Sequence, residues 1–179
     1  MCIRDRYNPY PKENEINHAE THIKNIVLNF LPSVLDYLNI NLENTNQIVA
    51  GASMGGLMSM KTSILFPQFK NIISLSPAFW FGYPSVLHDI KNLSNESSTY
   101  LYTGKKEGHI FGDHVKNIFP NNWDLDFSNN DDFYYSGVKN IKDSFDSNNK
   151  KVIFSFQDNG RHNETSWATA ILEILGKLI

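Results

Sequence analysis

The stretch Gln47-Ile48-Val49-Ala50-Gly51-Ala52-Ser53-Met54-Gly55-Gly56-Leu57 decides how this chain is read. Residues 47–51 form a short apolar run, the pattern of a buried strand. Leu57, Met60, Ile64 and Leu65 then recur at helical spacing and stop at Pro67. Between strand and helix lies Gly51-Ala52-Ser53-Met54-Gly55, a G-x-S-x-G pattern. That pattern alone arises by chance in many proteins, and the strand before it and helix after it are what give it weight. A chain that turns this sharply holds its serine in a strained conformation, and small residues at both flanks let neighbouring backbone approach. Ser53 Oγ is then expected above the carboxyl edge of a sheet, with the Met54 N–H facing the same space and able to stabilise an oxyanion. The plain alternative is a glycine-rich turn that packs a strand onto a helix.

Upstream, apolar residues within 16–40 (Ile23, Ile26, Val27, Phe30, Leu31, Val34, Leu35, Leu38) recur at three- and four-residue steps, which predicts an amphipathic helix kinked at Pro32. Downstream, residues 71–75, 99–103 and 151–156 are apolar strand candidates. Residues 138–145 and 165–179 carry helical periods, the last with Trp167, Ile171, Leu172, Leu175 and Leu178 on its apolar face. Residues 109–134 are polar, aromatic and aperiodic, and are expected to be a long loop or small insertion. Continuously apolar strands alternating with helices imply a mostly parallel sheet covered on both faces, an α/β fold.

Composition narrows the function. The chain has 179 residues, enough for one domain with a real core, and 41% hydrophobic against 20% charged residues is globular. No apolar run approaches the ~20 residues a membrane span requires. A net charge of −3 lacks the basic footprint of a nucleic-acid binder. A single cysteine, Cys2, rules out an internal disulfide and argues against a cysteine metal site.

A serine hydroxyl is a poor nucleophile at neutral pH and needs a base. His162, in Asp158-Asn159-Gly160-Arg161-His162-Asn163-Glu164, falls in the loop between the fourth strand and the last helix, at the carboxyl edge where α/β sheets build their sites. His18 and His22 on the first helix, His88 after the aromatic loop 76–84 (Phe79, Trp80, Phe81, Tyr83), and His109 and His114 in the insertion fit less well. The base in turn needs a carboxylate to fix its tautomer. Glu107 lies just past the third strand in the order Ser, acid, His that suits this fold class, with Asp113 and Asp158 as rivals.

Four ordered blocks resemble the Putative esterase family of α/β hydrolases, which includes enterochelin-esterase-like enzymes, feruloyl esterase domains and esterase D-like proteins. Gly51-Ala52-Ser53-Met54-Gly55-Gly56 is similar to its G-x-S-M-G-G elbow, and Ser76-Pro77-Ala78-Phe79-Trp80 to its S-P-S-x-W loop. Tyr102-Thr103-Gly104-Lys105-Lys106-Glu107-Gly108 is similar to its acid loop, and Gly160-Arg161-His162-Asn163-Glu164 with Trp167 to its G-x-H-N-E-x-x-W histidine loop. The resemblance implies a Ser53–Glu107–His162 triad acting on a small-molecule ester through an acyl-enzyme, with no metal or organic cofactor. Acyl transfer or amide hydrolysis by the same triad, and a non-catalytic scaffold, are the other readings. The resemblance also implies about four earlier strands, the third of them pairing with the elbow strand and followed by the loop of the second oxyanion donor. The chain is therefore expected to be a partial domain over residues 7–179, with residues 1–6 a non-native start and the compartment left open. Made alone, it is expected to be insoluble or weakly active, because the edge of residues 47–51 lies bare. Phe79 and Trp80 are candidates for a substrate wall, with core packing the equal alternative for Trp80. Phe111, Trp123 and Phe127 of the insertion suit either a lid or a small surface cluster.

Overall fold

The four apolar runs pair side by side in one parallel sheet. In the computed structural model, which describes residues 8–11, 16–43, 45–112, 123, 125 and 127–178, the strands are β1 (Ile48–Ala52), β2 (Asn71–Leu75), β3 (Ser98–Gly104) and β4 (Lys151–Gln157). Their spatial order is β1-β2-β3-β4, with Val49 beside Ile72, Ile73 beside Tyr100 and Leu101 beside Phe154. Each strand therefore ends at the same sheet edge. The helices are α1 (His18–Asn25), a π-helical turn (Ile26–Phe30), α2 (Leu31–Tyr37), α3 (Met54–Leu65), α4 (Ser85–Asp89), α5 (Asn130–Ser147) and α6 (Glu164–Leu178).

Strand alternation sorts the core into two layers. Ile72 and Leu101 join Leu57 and Met60 of α3 and Phe133, Val138 and Ile141 of α5 on one face. Ile73, Leu75, Tyr100 and Tyr102 pack against Ala170 and Ile174 of α6 on the other. Helices thus lie on both faces, as the alternation of patterns implies.

Several elements differ in detail from the sequence expectation. The first helix carries a π turn directly ahead of Pro32, where the Leu31 N–H reaches back to the Ile26 carbonyl. Proline has no N–H with which to continue the ordinary ladder. The first half of this helix is the better covered: Ala19, Ile23 and Val27 pack against Met58 and Phe69 with Leu31 partly buried beside them, whereas Phe30 and Leu38 are exposed. β1, expected to be buried, leaves Ile48 and Ala50 exposed because β2 alone flanks it among the described residues. α5 starts at Asn130 rather than near 138, since the Asn129 side chain accepts the Asp132 N–H and caps it. On α6 the inward residues include Ala170 and Ile174, while Leu172 points to solvent at 70% exposure.

Candidate active site

Ser53 is fixed by its backbone before its side chain is considered. It sits between β1 and α3 with φ 56° and ψ −121°, a region that L-residues rarely occupy and that costs about 1–3 kcal/mol. Three hydrogen bonds hold it there. Its N–H donates to the Leu75 carbonyl (2.9 Å), and its carbonyl accepts from the N–H groups of Gly56 (2.9 Å) and Ala78 (3.0 Å). The turn can be this tight because Gly51 has no side chain: a Cβ there would lie 2.2 Å from the Gly55 carbonyl oxygen. Gly55 itself faces open space, so the expected close approach is needed on one flank of the serine and not on the other.

The carboxylate and histidine loops are joined by a second close approach. A Cβ on Gly104, at the end of β3, would meet the Gly160 carbonyl oxygen at 2.2 Å. With both residues bare, the Lys106 N–H donates to Gly160 O (2.9 Å) and the Lys105 N–H to Gln157 O (3.0 Å). Asn163 caps α6 by accepting the Ser166 N–H (3.0 Å), which sets His162 immediately before the helix.

These backbones bring three side chains into one chain of hydrogen bonds. Ser53 Oγ lies 3.0 Å from His162 Nε2, and His162 Nδ1 lies 2.8 Å from Glu107 Oε2. An ionised carboxylate only accepts, so Nδ1 carries the proton and Nε2 is left to accept from Ser53. Glu107 is fully buried. Its Oε1 accepts from the Gly104 N–H (2.5 Å) and the Ser76 hydroxyl (2.6 Å), so the buried charge is hydrogen-bonded at both oxygens. Of the rival acids, Asp158 pairs with Lys105 at 2.8 Å and is largely exposed, while Asp113 lies outside the described residues, as does His114.

The sequence assigns no role to Ser76 or Trp167, although both lie in blocks that resemble the family's. In the structure Ser76 follows β2 and touches Glu107 directly, and the Trp167 indole N–H donates to Ser76 Oγ (3.0 Å). Tyr134 of α5 donates to the Ser76 carbonyl (2.6 Å), and its ring lies tilted beside His162 with centroids 5.4 Å apart. Burial, with the Glu107 charge as a second cause, pushes the Tyr134 phenol well above its ordinary range. Tyr102 is pushed up to about 12, again by burial first and Glu107 second. Both phenols therefore stay neutral.

Phe79 is fully buried, pressed against Gly137 and ringed by Phe133, Tyr134 and Trp80. Of the two candidates for a substrate wall, Phe79 is therefore a core residue and Trp80 is the half-buried one. Phe111 packs on Trp80 (4.8 Å), Trp123 on Tyr83 (4.8 Å) and Phe127 on Phe133 (4.9 Å), so the described aromatic residues of the 109–134 segment extend this cluster. A polar cleft of about 800 Å³ lined by Lys106, His109, Asp131 and Arg161 adjoins the acid and histidine loops. Ser53 and His162 are not in its lining. Among the described residues no group of three His, Cys, Asp or Glu converges as a metal site, and no helix is long and apolar enough to cross a membrane.

A parallel α/β sheet with a serine at a strand-to-helix turn, and an acid and a histidine following later strands, defines the α/β-hydrolase class. Within it, the chain belongs to the Putative esterase family, whose model matches residues 4–178. It is similar in structure to a ferulic acid esterase (TM-score 0.61, 12% identity, covering 86% of this chain and 58% of that one). It is also similar to the enterochelin esterase of Shigella flexneri (TM-score 0.63, 16% identity, 97% and 39%). The siderophore hydrolase EstA of Aspergillus nidulans is a further neighbour (TM-score 0.59, 15% identity, 92% and 60%). In sequence it is 25% identical over 113 residues to the protein YbbA of Bacillus subtilis strain 168, covering 58% of this chain and 45% of YbbA. The chain thus spans less than two thirds of each of these relatives.

Proposed function

We propose that the chain carries the catalytic residues of a serine carboxylic ester hydrolase working through an acyl-enzyme. The observation that carries this reading is the continuous chain Ser53 Oγ, His162 Nε2, His162 Nδ1, Glu107 Oε2 at 3.0 and 2.8 Å. Family membership supports it. Ser53 Oγ attacks the ester carbonyl carbon as its proton passes to His162 Nε2. The resulting imidazolium is held by Glu107, and the tetrahedral oxyanion takes the Met54 N–H as one donor. His162 then protonates the departing alcohol, and water, deprotonated by His162, cleaves the acyl-enzyme. Trp80, backed by Phe79, forms a wall for the substrate.

We also infer that the chain is the carboxyl-terminal part of its domain, residues 7–179, with the second oxyanion donor supplied from upstream. The bare edge of β1 and the fraction of each relative that is covered support this reading.

The test is intact-mass labelling with a fluorophosphonate, then peptide mapping, on this chain and on one with the upstream gene sequence restored. One adduct on Ser53, absent in His162→Ala, is expected in the restored form, with slower labelling in the shorter one. An unlabelled Ser53 in both forms overturns the esterase reading.

A further inference from the structure

Every strand of the sheet delivers one polar residue to its carboxyl edge. In spatial order these are Ser53 after β1, Ser76 after β2, Glu107 after β3 and His162 after β4. The reaction written above uses three of them. Ser76 is fully buried, holds a positive φ of 42°, and has every polar group engaged. Its N–H donates to Tyr102 O (2.7 Å), its carbonyl accepts from Tyr134, and its hydroxyl bridges Glu107 and Trp167. A strained residue held by this many bonds persists because its surroundings over-determine it.

We propose that Trp167 and Ser76 form a proton-orienting relay that sets the direction of Glu107. The donor inventory dictates the order. An indole N–H can only donate and an ionised carboxylate can only accept. Ser76 Oγ therefore accepts from Trp167, and its single proton is directed at Glu107 Oε1. With Oε1 occupied by Ser76 and Gly104, Oε2 is left to His162 Nδ1. The relay Trp167 → Ser76 → Glu107 holds the carboxylate in line with His162 Nδ1 as the imidazole takes up the serine proton. Ser76 and Trp167 act through Glu107 and are positioning residues. Trp167 also packs edge-on against the His162 ring at 4.9 Å, so hydrogen bond and ring contact must be separated by experiment.

The inference rests on the esterase reading, and a double-mutant cycle tests it. Ser76→Ala, Trp167→Phe and the double variant are compared in the form of the protein that labels. The readouts are the rate of fluorophosphonate labelling at Ser53, kcat and KM on p-nitrophenyl butyrate, and the thermal melt. Ser76→Ala, which loses the hydrogen bond to the carboxylate, is expected to lower kcat roughly 10- to 100-fold, and Trp167→Phe, which loses the neutral bond that aims it, roughly 3- to 10-fold, both with KM nearly unchanged. The double variant should match Ser76→Ala alone, because Trp167 acts through Ser76. If Trp167→Phe costs as much in the Ser76→Ala background as in the parent, the indole acts by packing and the relay is wrong. Labelling of both single variants at the parent rate also overturns it. Ser76→Cys, which keeps a weak donor at the same place, replaces Ser76→Ala if that variant does not fold, and is expected to label and turn over more slowly than the parent; parent rates in it overturn the relay. Proton NMR gives a reading independent of turnover: the downfield His162 Nδ1–H resonance should move in Trp167→Phe. A moved resonance in a protein whose serine does not label upholds the relay while the esterase reading fails. An unmoved one removes the relay whatever the activity.

Discussion

Gly51 and Gly55 bracket the same serine, yet the structure requires only one of them. A methyl group on Gly51 meets the Gly55 carbonyl at 2.2 Å, whereas one on Gly55 meets nothing within 4 Å. Gly51→Ala is expected to destabilise by about 3 kcal/mol or more, because the obstacle is backbone and not a side chain that can move. Gly55→Ala, inside α3, is expected to be neutral or to stabilise by up to about 1 kcal/mol through helix propensity. Urea unfolding midpoints of the two variants check both signs. The same contrast marks what the sequence makes legible at this scale. Ser53, Glu107 and His162 are visible because each follows a strand in a recognisable block. The role of Ser76 is not, because its partners Glu107 and Trp167 lie 31 and 91 residues away, and no local pattern encodes those bonds.

At the scale of elements, the strands are legible because a parallel sheet covered on both faces leaves a continuous apolar run, and β3 is buried along its whole length. The start of α5 is not. Its first turn carries Asn130, Asp131 and Asp132, which read as loop, and its buried face includes Gly137, where the Phe79 ring replaces a side chain. The signal was the cap. Asn129 accepts the Asp132 N–H at 3.0 Å, and two acids follow at the positive end of the helix. Asn129→Ala is expected to cost about 1 kcal/mol, read as a lower urea midpoint. The effect should also reach the acid loop, because Asp131 in that first turn accepts the Gly108 N–H at 2.7 Å. Slower exchange-protection loss at Gly108 than at α5 in the variant would sever that link.

At the scale of the whole molecule, the two edges of the sheet are unlike. Along β4, Lys151 is exposed and the Lys105 ammonium sits 4.2 Å over the Phe156 ring, charges that oppose pairing with another strand. β1 reads Ile-Val-Ala-Gly-Ala with no charge at all. Of the eleven large hydrophobic residues exposed among the described ones, eight (Ile16, Ile26, Leu28, Phe30, Tyr37, Leu38, Ile40 and Ile48) lie in or before this strand. Unpaired backbone beside uncovered apolar side chains is a template for association. The 179-residue chain is therefore expected to self-associate at micromolar concentration in sedimentation velocity. Ile48→Lys and Ala50→Lys, which put charge on the exposed positions of the edge strand, should shift it towards monomer without altering labelling of Ser53. Restoring the upstream sequence should do the same with no substitution, by covering the edge instead of charging it. A parent chain that stays monomeric and melts cooperatively would mean that β1 is a stable edge in its own right. The bare face would then have to be tolerated through shape alone, since the strand offers neither charge nor proline to protect it.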